Sequence, residues 1–271
     1  MILSRYDGRL LVVGQPDHGV QTGLIAAGWG NDEVAAVPER REACRLAAAH
    51  HDDGWAIWER HPDLDPQTRQ PVQFHQVKPR EHVPAYRAGI ERAAQLDPWA
   101  GLLVSMHGAG LYNDRYGSYR LEEVGEQSWT DVECALVEEF LADMARLQAR
   151  LYAEAIGHAP PRAPHELPEV MSAYLLLQVW DRISLQFALR HAADGAISPL
   201  PGDGSGRGEL RCLARGRFRL ALDPYPFAEG SVSLPVAARF VPDRVYSDPE
   251  DFLATLGSAE HTILECTAVR P

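Results

Sequence analysis

Residues 48–55 read Ala-Ala-His-His-Asp-Asp-Gly-Trp, and this run restricts the fold more than any other stretch of the chain. Two imidazoles and two carboxylates stand in succession where an apolar-periodic run, Ala43, Leu46 and Ala47, comes to its end. Trp55, Ile57 and Trp58 follow at once. A fold can leave such a cluster outside, as a solvated helix end with Gly54 as its cap. Otherwise it must turn the cluster inward, and buried charged groups are costly unless something pairs with them. The immediate return of large apolar residues favours the inward arrangement, and adjacent nitrogen and oxygen donors suit a metal that accepts mixed ligands. Neighbouring helical residues point ~100° apart, so one ion cannot use all four side chains. His51 and Asp52 are read as half of a metal site, with His50 and Asp53 in support.

Composition narrows the partners. The 271 residues are 45% apolar, enough to bury a sizeable core. Lys and Arg number 26 against 38 Asp and Glu, a net charge of -12, which argues against duplex nucleic acid or an anionic membrane surface as a partner. No apolar run reaches the ~18 residues of a membrane span, and residues 1–14 lack the basic start and apolar block of a secretory signal. Cys44, Cys134, Cys212 and Cys266 lie far apart without a CxxC pair. Reduced thiols in a cytoplasmic setting are the simplest expectation.

Taken in order, residues 2–13 form two apolar runs around the turn pair Asp7-Gly8 and read as a hairpin. Asp17 is a candidate cap for a helix carrying Val20, Leu24, Ile25 and Ala27 and ending near Gly28 or Gly30. His18, in its first turn, is either a polar residue at a helix mouth or a ligand. A second helix covers about 39–51. Pro62, Pro66, Pro71 and Pro79 make residues 60–80 a long loop. His61, His75, Lys78 and Arg80 on it are either ligand contacts or ordinary surface charges. Residues 82–96 have helical spacing. Asp97-Pro98-Trp99 then caps an all-apolar helix that buries His107, as a hydrogen-bonded core residue or as a ligand.

A polar loop is expected over 111–126, a long amphipathic helix over 132–156, and an apolar helix over 170–190. Asp181 interrupts the last of these. A lone carboxylate there needs a cation, a metal or several donors, which makes it the second ligand candidate. The tail changes character. Residues 198–208 are rich in turn formers, and Arg215, Arg217 and Arg219 alternate with apolar or small residues in the period of a half-buried strand. Asp223 to Phe227 reads as a turn. Val232, Leu234 and Val236 suggest a further strand at a sheet edge because of Pro235, and residues 263–269 a last one. The expected fold is mainly α in one domain over 1–271. Its helical core covers about 15–195, and a small accessory antiparallel sheet is built from about 1–14 and 209–271.

His18, the His51-Asp52 pair with Gly54, and Asp181 in Trp-Asp-Arg-Ile-Ser resemble the spaced H…HD…D signature of the HD-domain superfamily. A fuller skeleton resembles an uncharacterised bacterial family of unknown function: Gln-Pro-Asp-His18, His-His51-Asp52-Asp-Gly-Trp, Ser-Met-His107-Gly and Asp181-Arg-Ile-Ser-Leu. The HD resemblance implies an HD-like helical core and one or two bound divalent ions of Fe, Mn, Zn, Ni or Mg. It also implies hydrolysis of a phosphate ester or nucleotide-like small molecule. His18, His51, Asp52 and Asp181 would be ligands. Asp53 or His107 would transfer protons, and Lys78 and Arg80 would orient an anionic substrate. Two alternatives stay open: an HD-type di-iron oxygenase, and a protein that binds metal or ligand without catalysis. A homo-oligomer is compatible with each.

Overall fold

The most apolar stretch of the sequence becomes the axis about which the helices pack. A computed structural model of the chain describes residues 1–32, 34, 39–119, 129–190, 193–202 and 208–271. In chain order the elements begin with the hairpin β1 (Ile2–Tyr6) and β2 (Arg9–Val13). The helices α1 (Gln15–Gly28), α2 (Arg41–His50), α3 (Trp55–Trp58), α4 (Pro79–Leu96), α5 (Pro98–Gly110), the short α6 (Asp114–Gly117), α7 (Asp131–Ile156) and α8 (Pro168–Arg190) follow. Then come β3 (Gly195–Leu200), β4 (Gly208–Ala214), β5 (Arg219–Asp223), β6 (Ser231–Ser233), β7 (Val236–Pro242), α9 (Pro249–Ser258), β8 (Thr262–Leu264) and β9 (Thr267–Val269).

Local chemistry sets the helix starts. The Asp97 carboxylate accepts from the amides of Trp99 and Ala100 with Pro98 in the first turn, so α5 begins there. Thr130 and Glu133 form a reciprocal capping box at the head of α7. Residues Trp99 to Gly110 are all buried, because α2, α4, α7 and α8 pack around α5. No helix among the described residues is long and apolar enough to cross a membrane.

The mainly α fold with one small accessory sheet is overturned. About 51% of the chain is helical, and among the described residues nine strands, about 19%, build two substantial sheets. One has the order β1-β2-β7-β8 and the other β3-β4-β5-β9-β6. The first joins the N-terminal hairpin to the C-terminal half through antiparallel pairing of β2 with β7, Leu10 opposite Val241. The second lies wholly after α8 and is mixed, since β9 runs parallel to β5 and antiparallel to β6.

Short strands explain the error. Several span three to five residues, too few for alternation to rise above composition. The row of arginines fails as a strand for a specific reason: Gly216, at φ +124, and Phe218, at φ +55, turn the chain between β4 and β5. Arg217 in that turn instead grips Asp7 in the β1–β2 turn with two bonds of 2.6 and 2.8 Å. The expected last strand over 263–269 is two strands in different sheets. Helix ends also shift. Gly14 occupies the N-cap of α1, with Asp17 in its first turn. Pro79 opens α4 rather than blocking it, because its missing N–H falls where no helical bond is needed. Within the expected polar loop over 111–126, residues 120–126 lie outside the described residues, as do 203–207 of the turn-rich stretch.

Candidate metal centre

Four helices deliver the polar side chains of the sequence to one buried place. α1 carries His18 and α5 carries His107; His51 and Asp52 follow α2, and α8 contributes Asp181. All five are buried, Asp181 being the most accessible at 8%. Glycines let α1 and α2 approach closely enough. A Cβ on Gly19 would lie 2.8 Å from the Ala49 carbonyl oxygen, and one on Gly23 would lie 2.7 Å from the Ala49 Cβ. The His18 and His51 rings are consequently 5.2 Å apart edge to face, and His51 and His107 4.9 Å.

Outer hydrogen bonds fix which nitrogen of each ring faces inward. His51 Nδ1 donates to the Ala48 carbonyl at 2.8 Å, and its Nε2 is buried without a hydrogen-bond partner. That Nε2 stands 3.4 Å from Asp52 Oδ2 and 3.8 Å from Asp181 Oδ1. The Ser184 hydroxyl spends its proton on Gln21 Oε1 at 2.5 Å, so its oxygen accepts from His18 Nδ1 at 2.6 Å. His18 Nε2 is thereby left facing Asp181 Oδ1 at 3.0 Å. Gln21 is itself anchored by donating to the Leu234 carbonyl at 2.6 Å.

His107 is held the other way round. The Tyr119 hydroxyl donates to Gln178 Oε1 at 3.0 Å, which orients the Gln178 amide to donate to His107 Nδ1 at 2.9 Å. The ring proton then resides on Nε2, 3.6 Å from Asp52 Oδ1 and 3.4 Å from the Tyr86 hydroxyl. Tyr86 donates to Asp52 Oδ1 at 3.0 Å and accepts from Trp55 Nε1 at 3.2 Å.

The charges interlock. Burial opposes the charged form of His51, yet the neighbouring Asp52, helped by Asp181, raises its pKa to about 9. Burial likewise opposes ionised Asp181, but His18 and His51 hold its carboxyl well below the usual range. Asp52 is lowered against burial by His51 and His107. Nearby His82 is pushed down to about 3 by burial, which outweighs the pull of Asp52, and its Nδ1 lies 2.6 Å from the Tyr112 hydroxyl.

Among the described residues, two groupings could hold a metal ion: His18, His51 and Asp181, and His51, Asp52 and His107, with ligand atoms within 4.8 Å of one another in each. His51 belongs to both and has one free nitrogen. One ion at that nitrogen can therefore draw on either grouping or both, but the ring cannot hold two. Donors of this kind, imidazole nitrogen with carboxylate oxygen, fit a borderline divalent ion better than the all-oxygen shell that magnesium prefers.

Other sequence candidates lie elsewhere. Asp53 turns away from the cluster, pairing with His50 Nδ1 at 2.9 Å and Arg92 at 3.7 Å. Lys78 is the exposed N-cap residue of α4, and exposed Arg80 bonds Glu81 at 2.5 Å. Both basic charges act on Glu133 at the head of α7. His61 is exposed and His75 packs edge-on against Phe74. Sequence reasoning missed Gln21, Tyr86, Gln178 and Ser184. Gln178, Asp181 and Ser184, spaced three apart on a largely apolar helix, carried a legible signal; Tyr86 carried none.

Neither a curated protein nor a solved structure matches the chain. A family model does match residues 1–243, most of the chain, and the protein belongs to that family, described as a protein of unknown function (DUF3891).

Proposed function

We propose that the chain is a metal-dependent hydrolase acting on a phosphate ester or nucleotide-like small molecule. The observation that carries this reading is the buried, unpartnered His51 Nε2 facing two buried carboxylates. A buried ring nitrogen that faces two carboxylates without a hydrogen bond is costly, and an ion from the set Fe, Mn, Zn, Ni or Mg resolves it. His18, His51, Asp52 and Asp181 would hold that ion.

A divalent ion at such a site supplies Lewis acidity and lowers the pKa of a water toward neutrality. The chain's own residues do the rest. His107 holds its exchangeable proton at Nε2 beside Asp52, placed to pass it to a leaving group. Tyr86 fixes the direction of Asp52 through its 3.0 Å bond. Of the two proton-transfer candidates His107 faces the cluster, whereas Asp53 is tied to His50 and Arg92.

Metal analysis of protein purified without chelator, followed by a phosphate-ester panel on wild type and Asp52→Ala, tests this. The expected result is about one ion per chain and an activity that Asp52→Ala abolishes. Wild type without metal would remove the site itself. Bound metal with no hydrolysis would leave a binding protein, and two irons with oxygen uptake would select oxygenase chemistry instead.

A further inference from the structure

A second cluster of polar groups, outside the five metal-site residues, lies where α6 and the residues after it pack on α8. It contains two buried donors with nothing to donate to: Arg115 Nε and the Tyr174 hydroxyl. The Tyr174 hydroxyl and the backbone of Arg115 lie against Gly110 at the end of α5. A Cβ on that glycine would sit 2.2 Å from Tyr174 Oη and 3.6 Å from Arg115 Cα. The Arg115 charge also reaches the Tyr174 phenol, offsetting part of the effect of burial. Asp114, Arg115 and Tyr116 hold their backbone at φ 53, 51 and 57, a left-handed run that side chains ordinarily avoid.

Tyr119 extends the cluster. The Arg115 guanidinium carbon lies 5.5 Å from its ring centroid and that of Arg182 4.9 Å. Arg182 is held by the carbonyls of Ser198 at 2.8 Å and Ala196 at 3.4 Å, both neutral acceptors. Among the described residues no carboxylate is ion-paired with either arginine. Two positive charges against one ring, with two orphan donors nearby, call for an acceptor of opposite charge. A phosphoryl group, near −2 at neutral pH, meets that demand better than a carboxylate.

We infer that Arg115 and Tyr174, with Arg182 across the Tyr119 ring, form a binding subsite for a phosphoryl group of the small-molecule ligand. Tyr174 and Asp181 are seven residues apart on α8, roughly 10 Å along its axis. A group held by Arg115 and Tyr174 is therefore about two helical turns from one reacting beside Asp181. This inference rests on the hydrolase reading only for the identity of the ligand as substrate. In that reading the substrate carries a phosphoryl group remote from its reacting bond.

Calorimetric titration of inorganic phosphate tests it, into protein as purified and again after exhaustive chelation. Wild type should bind phosphate in both states. Tyr174→Phe, which keeps the packed ring and removes only an unpartnered hydroxyl, should weaken binding about fivefold, and Arg115→Gln about tenfold or more. Metal content and far-ultraviolet dichroism should stay unchanged in both variants. Equal affinity in wild type and variants, binding that disappears with the chelator, no phosphate binding by wild type, or tighter binding of acetate than of phosphate would each overturn the subsite. A wild type that lacks metal but binds phosphate through Arg115 would instead overturn the hydrolase reading and leave the subsite standing.

Discussion

His107 and His51 are both buried imidazoles beside Asp52, yet their outer partners give them opposite duties. The Ala48 carbonyl takes the Nδ1 proton of His51, whereas the Gln178 amide donates to His107 and so keeps the proton on the inner nitrogen. Gln178→Leu keeps the bulk on α8 and removes that donor. The expected outcome is retained metal with turnover reduced ten- to a hundredfold, the usual range for outer-layer partners, and a displaced limb in the pH–rate profile. An unchanged profile at reduced turnover would mean that Gln178 serves packing alone. Asp181→Asn should instead cut bound metal to less than about a tenth by elemental analysis, since it weakens the proposed ligand that faces both His18 and His51. His51, Asp52 and Asp181 were legible in the sequence because each interrupts an apolar pattern that packing alone leaves unexplained. Tyr86 and Gln21 were not legible, since a helix that buries a tyrosine or glutamine for ordinary reasons has the same local pattern.

At the scale of elements, helices announced themselves through caps and proline placement, and short strands did not, because their partners lie far along the chain. Arg217 shows the limit: its alternation with neighbours suggested a strand, while its real partner Asp7 is 210 residues away. Gly54 shows another. Sequence alone suggested a helix cap, but its φ of -62 is ordinary right-handed backbone. What demands glycine is the crossing beneath α4, where a Cβ would lie 1.9 Å from the Ala85 carbonyl oxygen and 3.0 Å from the Gly89 amide. Both contacts are backbone, so neither can rotate away. Gly54→Ala is expected to cost about 3 kcal/mol or more in urea unfolding, at the upper end for overpacking. Gly8→Ala is a useful contrast: it has open space around it but φ +73. It should cost only about 1 kcal/mol, from backbone strain alone. Equal costs at the two sites would remove the close-approach account of Gly54.

For the whole molecule, the centre draws on helices from both halves of the sequence, so an ion bound there bears on global stability. Without an ion, His51 has a pKa raised to about 9 by Asp52 and Asp181 against the opposing effect of burial. A raised imidazole contributes fully below its unfolded value near 6.5, and the contribution is lost as pH rises through about 9. Asp181, whose carboxyl is lowered, contributes above its unfolded value near 4, and that contribution is lost as pH falls through the folded one. The metal-free cluster thus contributes most between about pH 4 and 6.5. An ion must displace the His51 proton in that range and above it, so binding at pH 7 should release about one proton, measurable by calorimetry in buffers of different ionisation enthalpy. Free ion at a thousand times its Kd stabilises by about 4 kcal/mol, on the order of 10 °C in melting temperature for a chain of this size. Because the competing proton leaves as pH rises, that increment should grow from pH 6 to pH 9 and vanish with chelator. A metal-induced increment equal at both pH values would show that the ion does not bind through His51.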